Sequence, residues 1–376
     1  MISAANFIQN RLSERQQAGS YRALKPENTL IDFCSNDYLG FARSSTLKNK
    51  IDEELNNHPN PTGSTGSRLI SGNLAYTEIL ERDIASLFKS EAGLLFNSGY
   101  DANVGLLSSL PQRGDTVITD ELIHASIIDG ARLSHANRYT FKHNDLTSLE
   151  RKLQHAKGVC YVVIESIYSM DGDTPPLVEI LDLTEKYGAN LIVDEAHAVG
   201  LYNTGIVTHL GLQNRVFARI ATFGKALGSH GAIVLGSDLL RQYLINFARS
   251  FIYTTAAPFH QLACIRVACD ELQNANNEIN TLRGHINLFK QTIRLPTASA
   301  YRLIESDSSI QCLLLNSNQK AKEVATHLQT QGFDIRAILS PAVPLGSERI
   351  RICLHAFNTL AEVSSLSNEI NNLLNE

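Results

Sequence analysis

A chain of 376 residues, 43% hydrophobic and 19% charged, is long enough to bury a large core and to divide into two or three packed lobes. Its formal net charge of -5 offers no basic excess for nucleic acid, and no apolar run reaches the length of a membrane span. The six cysteines form no Cys-x-x-Cys pair, which argues against a zinc ribbon or redox motif and for reduced, mostly buried thiols of a cytoplasmic protein. Met1 to Asn10 lacks a basic segment followed by an apolar core, so no secretory signal is expected.

The spacing predicts an amphipathic helix from about Ser3 to Ala18 and a short strand at Ile31 to Cys34. The strand runs into Ser35 to Gly40, a segment of turn-forming residues. Pro61 to Asn73 is too rich in glycine and hydroxyls for a core element; a long loop inside a compact domain is usually functional or disordered, and the helices expected on either side favour function. Tyr76 to Lys89 reads as a helix. Strands and helices then alternate. Strands are expected at Gly93–Phe96, Thr116–Ile118, Arg138–Phe141, Val159–Ile164 and Leu191–Val193, and helices follow at Tyr100, Ser126, Asp145 and Pro176. Such β-α-β units imply an α/β fold with a mostly parallel sheet covered on both faces. After the apolar run Ala232 to Leu235 the chain becomes helical. From about Ile310 it reads as a small α+β lobe, with strands at Gln311–Leu315 and Arg349–Leu354. The expected division is an N-terminal segment 1–45, a large domain 46–280 and a small C-terminal domain 281–376.

In an open α/β sheet, ligands bind at the carboxyl ends of the strands. Four such ends carry polar residues here. Ser98-Gly99-Tyr100 lies at a strand-to-helix turn, where free backbone N–H groups make a phosphate site. His124 follows another strand and can lay its ring on a planar ligand. Glu165 to Asp173 holds Ser169. Its several acidic residues raise a metal alternative, but no histidine is spaced to complete such a site. Asp194-Glu195-Ala196-His197 ends a further strand. Those letters also spell a nucleotidase box, but that reading needs an upstream phosphate loop, and none is present. Lys225 sits in Ala221 to Gly231, between glycines that let a flat ligand approach. Taken alone, this lysine reads as a surface residue in a hairpin turn.

Together these residues meet the needs of pyridoxal 5′-phosphate (PLP). Its aldehyde needs an amine, offered by Lys225. Its ring nitrogen needs a carboxylate beside it, offered by Asp194. Its phenolic oxygen needs donors, offered by Ser169 and His197. Its phosphate takes Gly99, Tyr100 and the Thr222 hydroxyl.

The chain resembles the α-oxoamine synthases of PLP fold type I over nearly its whole length. The carrying motifs are Ser35–Gly40 (SNDYLG), Gly63–Gly72 (GSTGSRLISG), Ser98-Gly99-Tyr100, His124-Ala125-Ser126, His143-Asn144-Asp145, Ser169–Asp173 (SMDGD), Asp194–His197 and Phe223–Gly228 (FGKALG). The segments FKHND, FARSFIYTT and AILSPAVP lean toward the biotin-pathway branch. The resemblance implies a large domain with a mostly parallel sheet and a small C-terminal α+β domain. It implies decarboxylative condensation of an amino acid, L-alanine in that branch, with a pimeloyl thioester on coenzyme A or a carrier protein. Lys225, His124, Asp194 and His197 would do the chemistry. Arg351, Asn36 and Arg22 would bind substrate. Thr254 and Thr255 would reach the neighbouring subunit's phosphate in a homodimer with shared sites. Thr77, Glu195 and Ala198-Val199 depart from that branch, which leaves alanine, glycine and serine open as the amino acid.

Overall fold

In the computed structural model, which describes residues 2–59, 61–296 and 301–375, the strand-forming runs between Glu91 and Gly236 join into one seven-stranded sheet. Its strands lie in the order Ala92–Phe96, Ala232–Gly236, Ala218–Thr222, Asn190–Asp194, Cys160–Glu165, Thr116–Asp120 and Asn137–Phe141. Ala232–Gly236 runs antiparallel to both neighbours, and the other pairings are parallel.

Successive side chains of a strand point to opposite faces. Here both faces are dry. Val162, Ile164, Leu191 and Val193 belong to one buried cluster, while Tyr161, Val163 and Ile192 belong to another. That is why these strands read as continuous apolar runs without polar alternation. Each large aliphatic side chain so buried contributes about 1.5–3 kcal/mol. Asn137–Phe141 is the exception. It is an edge strand exposed from Asn137 to Thr140.

A second, four-stranded antiparallel sheet has the order Arg336–Ile338, Arg349–Cys353, Ile310–Leu314 and Arg302–Leu303. The short strand Ile31–Asp32 pairs in parallel with Phe333–Asp334, which ties the start of the chain to its last third. The backbone N–H of Cys353 donates to the Phe33 carbonyl, 2.8 Å away, so Ser35–Gly40 lies against the strand carrying Arg351.

Three local features differ from the sequence reading. The helix Ala4–Gln17 forms, but buries none of its residues and leaves Phe7, Ile8 and Leu12 exposed. The helix Ser45–Asn57, which bounds the loop Pro61–Asn73 on its N-terminal side, had no predicted limits. Its mixed surface hides the period, and Ser44 caps it by accepting from the Leu47 N–H at 3.2 Å. The loop Pro61–Asn73 contains one wide helical turn, Arg68–Gly72. Arg68 anchors that turn by donating to Asn73 and to the buried carboxylate of Glu81.

Candidate active site

Lys225 occupies the turn between Ala218–Thr222 and Ala232–Gly236. The hairpin of that stand-alone reading forms, but Lys225 is turned into a cavity and is not a surface residue. The turn folds over the carboxyl ends of the parallel strands, where Lys225 lines a cavity of about 240 Å3. Also on its walls are Ser98, Gly99, Tyr100, His124, Asp194, His197 and Thr222. Sequence positions from 98 to 225 thus converge on one space because parallel strands all end on the same side.

Burial lowers the Lys225 pKa to about 8, against the opposing attraction of Asp194 and Glu165. Its amine therefore loses its proton far more readily than a solvated lysine. Asp194 ends its strand and is held from both sides. The Ala196 N–H donates to Oδ1 at 2.9 Å, and the Asn103 amide to Oδ2 at 2.8 Å. His197 is buried, and burial, Lys225 and Arg351 push its pKa well below the usual histidine value. Its Nδ1 lies 2.7 Å from the Tyr38 hydroxyl. The intervening Glu195 turns away from the cavity. It takes the Val207 N–H at 2.8 Å and pairs with buried Arg219 at 3.6 Å. The four letters that spell a nucleotidase box are thus divided between cavity wall and core.

The helix Gly99–Ser109 points its N-terminus into the same space. Ser98 caps it by accepting from the Asp101 N–H at 3.1 Å, which leaves the Gly99 and Tyr100 N–H groups unpaired among the described residues. The Tyr100 hydroxyl itself is engaged with Asp129, so that residue offers only its backbone. A Cβ on Gly99 would meet the Thr222 methyl at 2.6 Å, so only glycine lets Thr222 come this close. The Thr222 hydroxyl is buried and has no partner among the described residues. A buried hydroxyl beside free helix N–H groups is unsatisfied as it stands and suits an anion. With an activated amine, a strand-end carboxylate and a histidine ring around the cavity, the residues present fit PLP.

Ser169 lies one step aside. It lines a second cavity of about 680 Å3, together with His124, Leu122, Met170, Val343 and Leu345. Its backbone oxygen accepts from Arg351 Nε at 2.8 Å. Arg351 also donates to Asn36 Oδ1 at 3.0 Å, so two expected substrate residues touch. Arg349 is committed elsewhere, to Asp171 and, at 2.8 Å, to the Met170 carbonyl. The loop bearing Ser169 is pinned by His143, whose ring bonds Asp120 at 2.9 Å and Asp173 at 2.7 Å. Burial opposes a charge on this ring, but the two carboxylates raise its pKa to about 10.

Ser169, Asn36 and Arg351 do not line the Lys225 cavity, and two further expected groups lie apart from it. Arg22 is exposed and lines neither space. Thr254 and Thr255 line a narrow cavity with Arg68 and Gly72, where Asn97 donates to Thr254 Oγ1 at 3.0 Å and to the Thr255 carbonyl at 2.9 Å.

Asn103, Ser126, Glu165 and His230 line the cavity but escaped the sequence reading as site residues, as did Tyr38 behind His197. Glu165 had one signal, a carboxylate ending a buried strand, and it pairs in register with Asp194. Burial and Asp194 raise its pKa to about 8. Asn103 is two residues beyond the helix's first acidic position and carried no signal of its own.

The family model for aminotransferase class I and II matches residues 28–370. An 8-amino-7-oxononanoate synthase of Emericella nidulans is 43% identical over 362 residues, covering 89% of this chain and 87% of that protein. One from Lysinibacillus sphaericus is 36% identical, covering 90% and 87%. Among solved structures, an 8-amino-7-oxononanoate synthase from Francisella tularensis superposes with a TM-score of 0.77 at 26% identity, covering 93% of this chain and 99% of that one. The serine palmitoyltransferase of S. paucimobilis, solved with PLP and myriocin bound, has a TM-score of 0.88 at 23% identity, covering 98% and 96%. That likeness speaks for the fold.

Proposed function

Since the chain belongs to the aminotransferase class I and II family and, within it, to the PLP-dependent acyltransferases called α-oxoamine synthases, we propose that it makes 8-amino-7-oxononanoate. The substrates are L-alanine and a pimeloyl thioester on coenzyme A or a carrier protein, and CO2 and the free thiol leave. The observation that carries this reading is the junction at His124. One side of this residue is the cavity of Lys225; the other is the larger space lined by Leu122, Met170, Val343 and Leu345, which suits an acyl chain.

PLP, when bound, supplies a place for the electron pair left at the amino acid's Cα. The rest falls to side chains. Lys225 Nζ, which burial makes easier to deprotonate, takes the Cα proton and later returns one. Asp194 would hold the ring nitrogen and His197 the phenolic oxygen, with Ser169 beside it. The N–H groups of Gly99 and Tyr100 and the Thr222 hydroxyl would hold the phosphate, with Ser98 fixing that helix start. Arg351, already turned to Asn36, would hold the amino acid's carboxylate in the planar fork that guanidinium offers. The engagement of Arg349 with Asp171 supports the choice of Arg351 over it.

We extend the reading to the assembly. Thr254 and Thr255 do not face the Lys225 cavity of their own chain, which supports a homodimer in which they complete the neighbour's phosphate site. Arg22 keeps a role only if the acyl donor or its carrier reaches the exposed surface. The proposed setting is the cytoplasm; among the described residues no helix is long and apolar enough to cross a membrane.

The test is thiol release. Alanine, glycine and serine are each paired with pimeloyl-, acetyl- and succinyl-coenzyme A. Alanine with the pimeloyl thioester is expected to be the best pair. Glycine with the acetyl thioester leading the set would overturn the substrate assignment and leave the reaction class standing.

A further inference from the structure

Two buried polar residues behind His124 have no part in the chemistry above. They are Asn103, on the helix Gly99–Ser109, and Ser126, on the helix Ala125–Leu133. Their hydrogen bonds can be assigned proton by proton. Asp194 Oδ2 lies 2.8 Å from the Asn103 amide. A carboxylate only accepts, so the amide atom facing it is the nitrogen. That same nitrogen lies 3.0 Å from Ser126 Oγ and spends its second proton there. The Ser126 hydroxyl, having accepted, turns its own proton to His124 Nδ1, 2.7 Å away. The backbone N–H of Ser126 points at the same Nδ1 from 3.2 Å. Two donors directed at one ring nitrogen exclude a proton on it.

We propose that Asn103 and Ser126 are positioning residues that lock His124 as the neutral tautomer with its proton on Nε2. The chain Asp194–Asn103–Ser126–His124 ties the carboxylate end of the cavity to the ring at its mouth. Among the described residues Nε2 has no hydrogen-bond partner, and His124 lines both cavities, so the locked proton is left for a bound reactant. A histidine free to exchange tautomers would offer that donor only part of the time.

The charges around the ring agree. Burial disfavours the imidazolium and Lys225 repels it, while Asp194 favours it; the net pKa lies below the usual value. Among the described residues, Glu165 lies near the His124 backbone N–H and His197 is a further titratable group close to the ring.

The inference rests on His124 belonging to the PLP site, so the experiment reads the two separately. Protein labelled with 15N-histidine is observed by NMR between pH 6 and 8, with and without added PLP. His124→Gln identifies the two ring signals by removing them. The expected spectrum has a bare Nδ1 and a protonated Nε2 throughout. Ser126→Ala, which keeps only the longer backbone donor, should put a proton on Nδ1 in at least about a tenth of molecules at pH 7. Ser126→Thr, which keeps the hydroxyl, should restore the wild-type pattern. A wild-type Nδ1 that carries a proton overturns the proposal, and that spectrum decides the matter even where Ser126→Ala does not fold. A folded Ser126→Ala protein with unchanged ring signals overturns it too. Failure of a visible absorbance band to appear on adding PLP would instead strike at the cofactor site and leave the tautomer result readable.

Discussion

Lys225 supplies a quantitative test of how the cavity acts on its own residues. Burial takes its pKa from the usual 10.5 to about 8, with Asp194 and Glu165 pulling the other way. At pH 7.5 an amine of pKa about 8 is roughly one-quarter neutral, and one of pKa 10.5 roughly one-thousandth neutral. The cavity therefore presents about 200-fold more reactive amine than a solvated lysine does. Only the neutral amine attacks an aldehyde, so the rate of PLP capture should follow this titration. The assay mixes cofactor-free protein with PLP from pH 6 to 10 and follows the visible absorbance. A simple lysine derivative run in parallel cancels the cofactor's own titrations. The ratio of the two rates should be largest at low pH and fall as pH passes about 8, where Lys225 is already neutral and the free amine is still gaining. Lys225→Ala should give no band. Asp194→Asn removes the carboxylate that favours the ammonium form, so the inflection should move below 8. An inflection above about 9.5, or one that Asp194→Asn leaves in place, would refute the reasoning.

Three further outcomes are expected. Thr222→Val deletes a buried hydroxyl that has no partner among the described residues, so the cofactor-free protein should unfold at the same or slightly higher denaturant concentration. The PLP dissociation constant should rise roughly tenfold to a hundredfold, since a hydrogen bond to a charged group is worth about 1.5–3 kcal/mol. Gly228 and Gly224 should differ in chemical denaturation. Gly228→Ala, at φ +57° with the Ala42 nitrogen 2.2 Å from the new Cβ, should lose about 1–3 kcal/mol or more, whereas Gly224→Ala, with only a Ser229 oxygen at 3.5 Å, should stay within about 0.5 kcal/mol. The two arginines of one strand should separate in steady-state kinetics and melting. Arg351→Lys should raise the KM for the amino acid about tenfold or more. Arg349→Met should spare KM but cost about 3–5 kcal/mol of stability, because it leaves Asp171 buried and unpaired.

The glycines around Lys225 show where local reading stops. From the sequence they read as clearance for a ligand. In the fold Gly224 does border the cavity, but Gly228 is glycine because the backbone of Ala42 runs against it. Nothing near position 228 announces a neighbour from position 42. The same holds for the loop Pro61–Asn73, whose form depends on Arg68 reaching Glu81, and for Arg349 and Arg351, two residues apart and identical in type. Asn103 is the clearest case. Its importance lies in contacts with Ser126 and Asp194, 23 and 91 residues away, and helix periodicity cannot report those.

What the sequence determined by itself was the alternation of strand and helix and the chemistry at the strand ends. Buried parallel strands must be apolar throughout, so they stand out, and the polar residues that end them stand out against them. Lys225, Asp194, His197 and the turn at Gly99 were legible for that reason. Tertiary structure alone decided which polar groups face one another: Tyr38 behind His197, Glu165 beside Asp194, Glu195 against Arg219 and Asn103 behind His124. Those pairings arise from close approach of segments far apart in the chain. The side-chain period along each segment is the same whether they form or not.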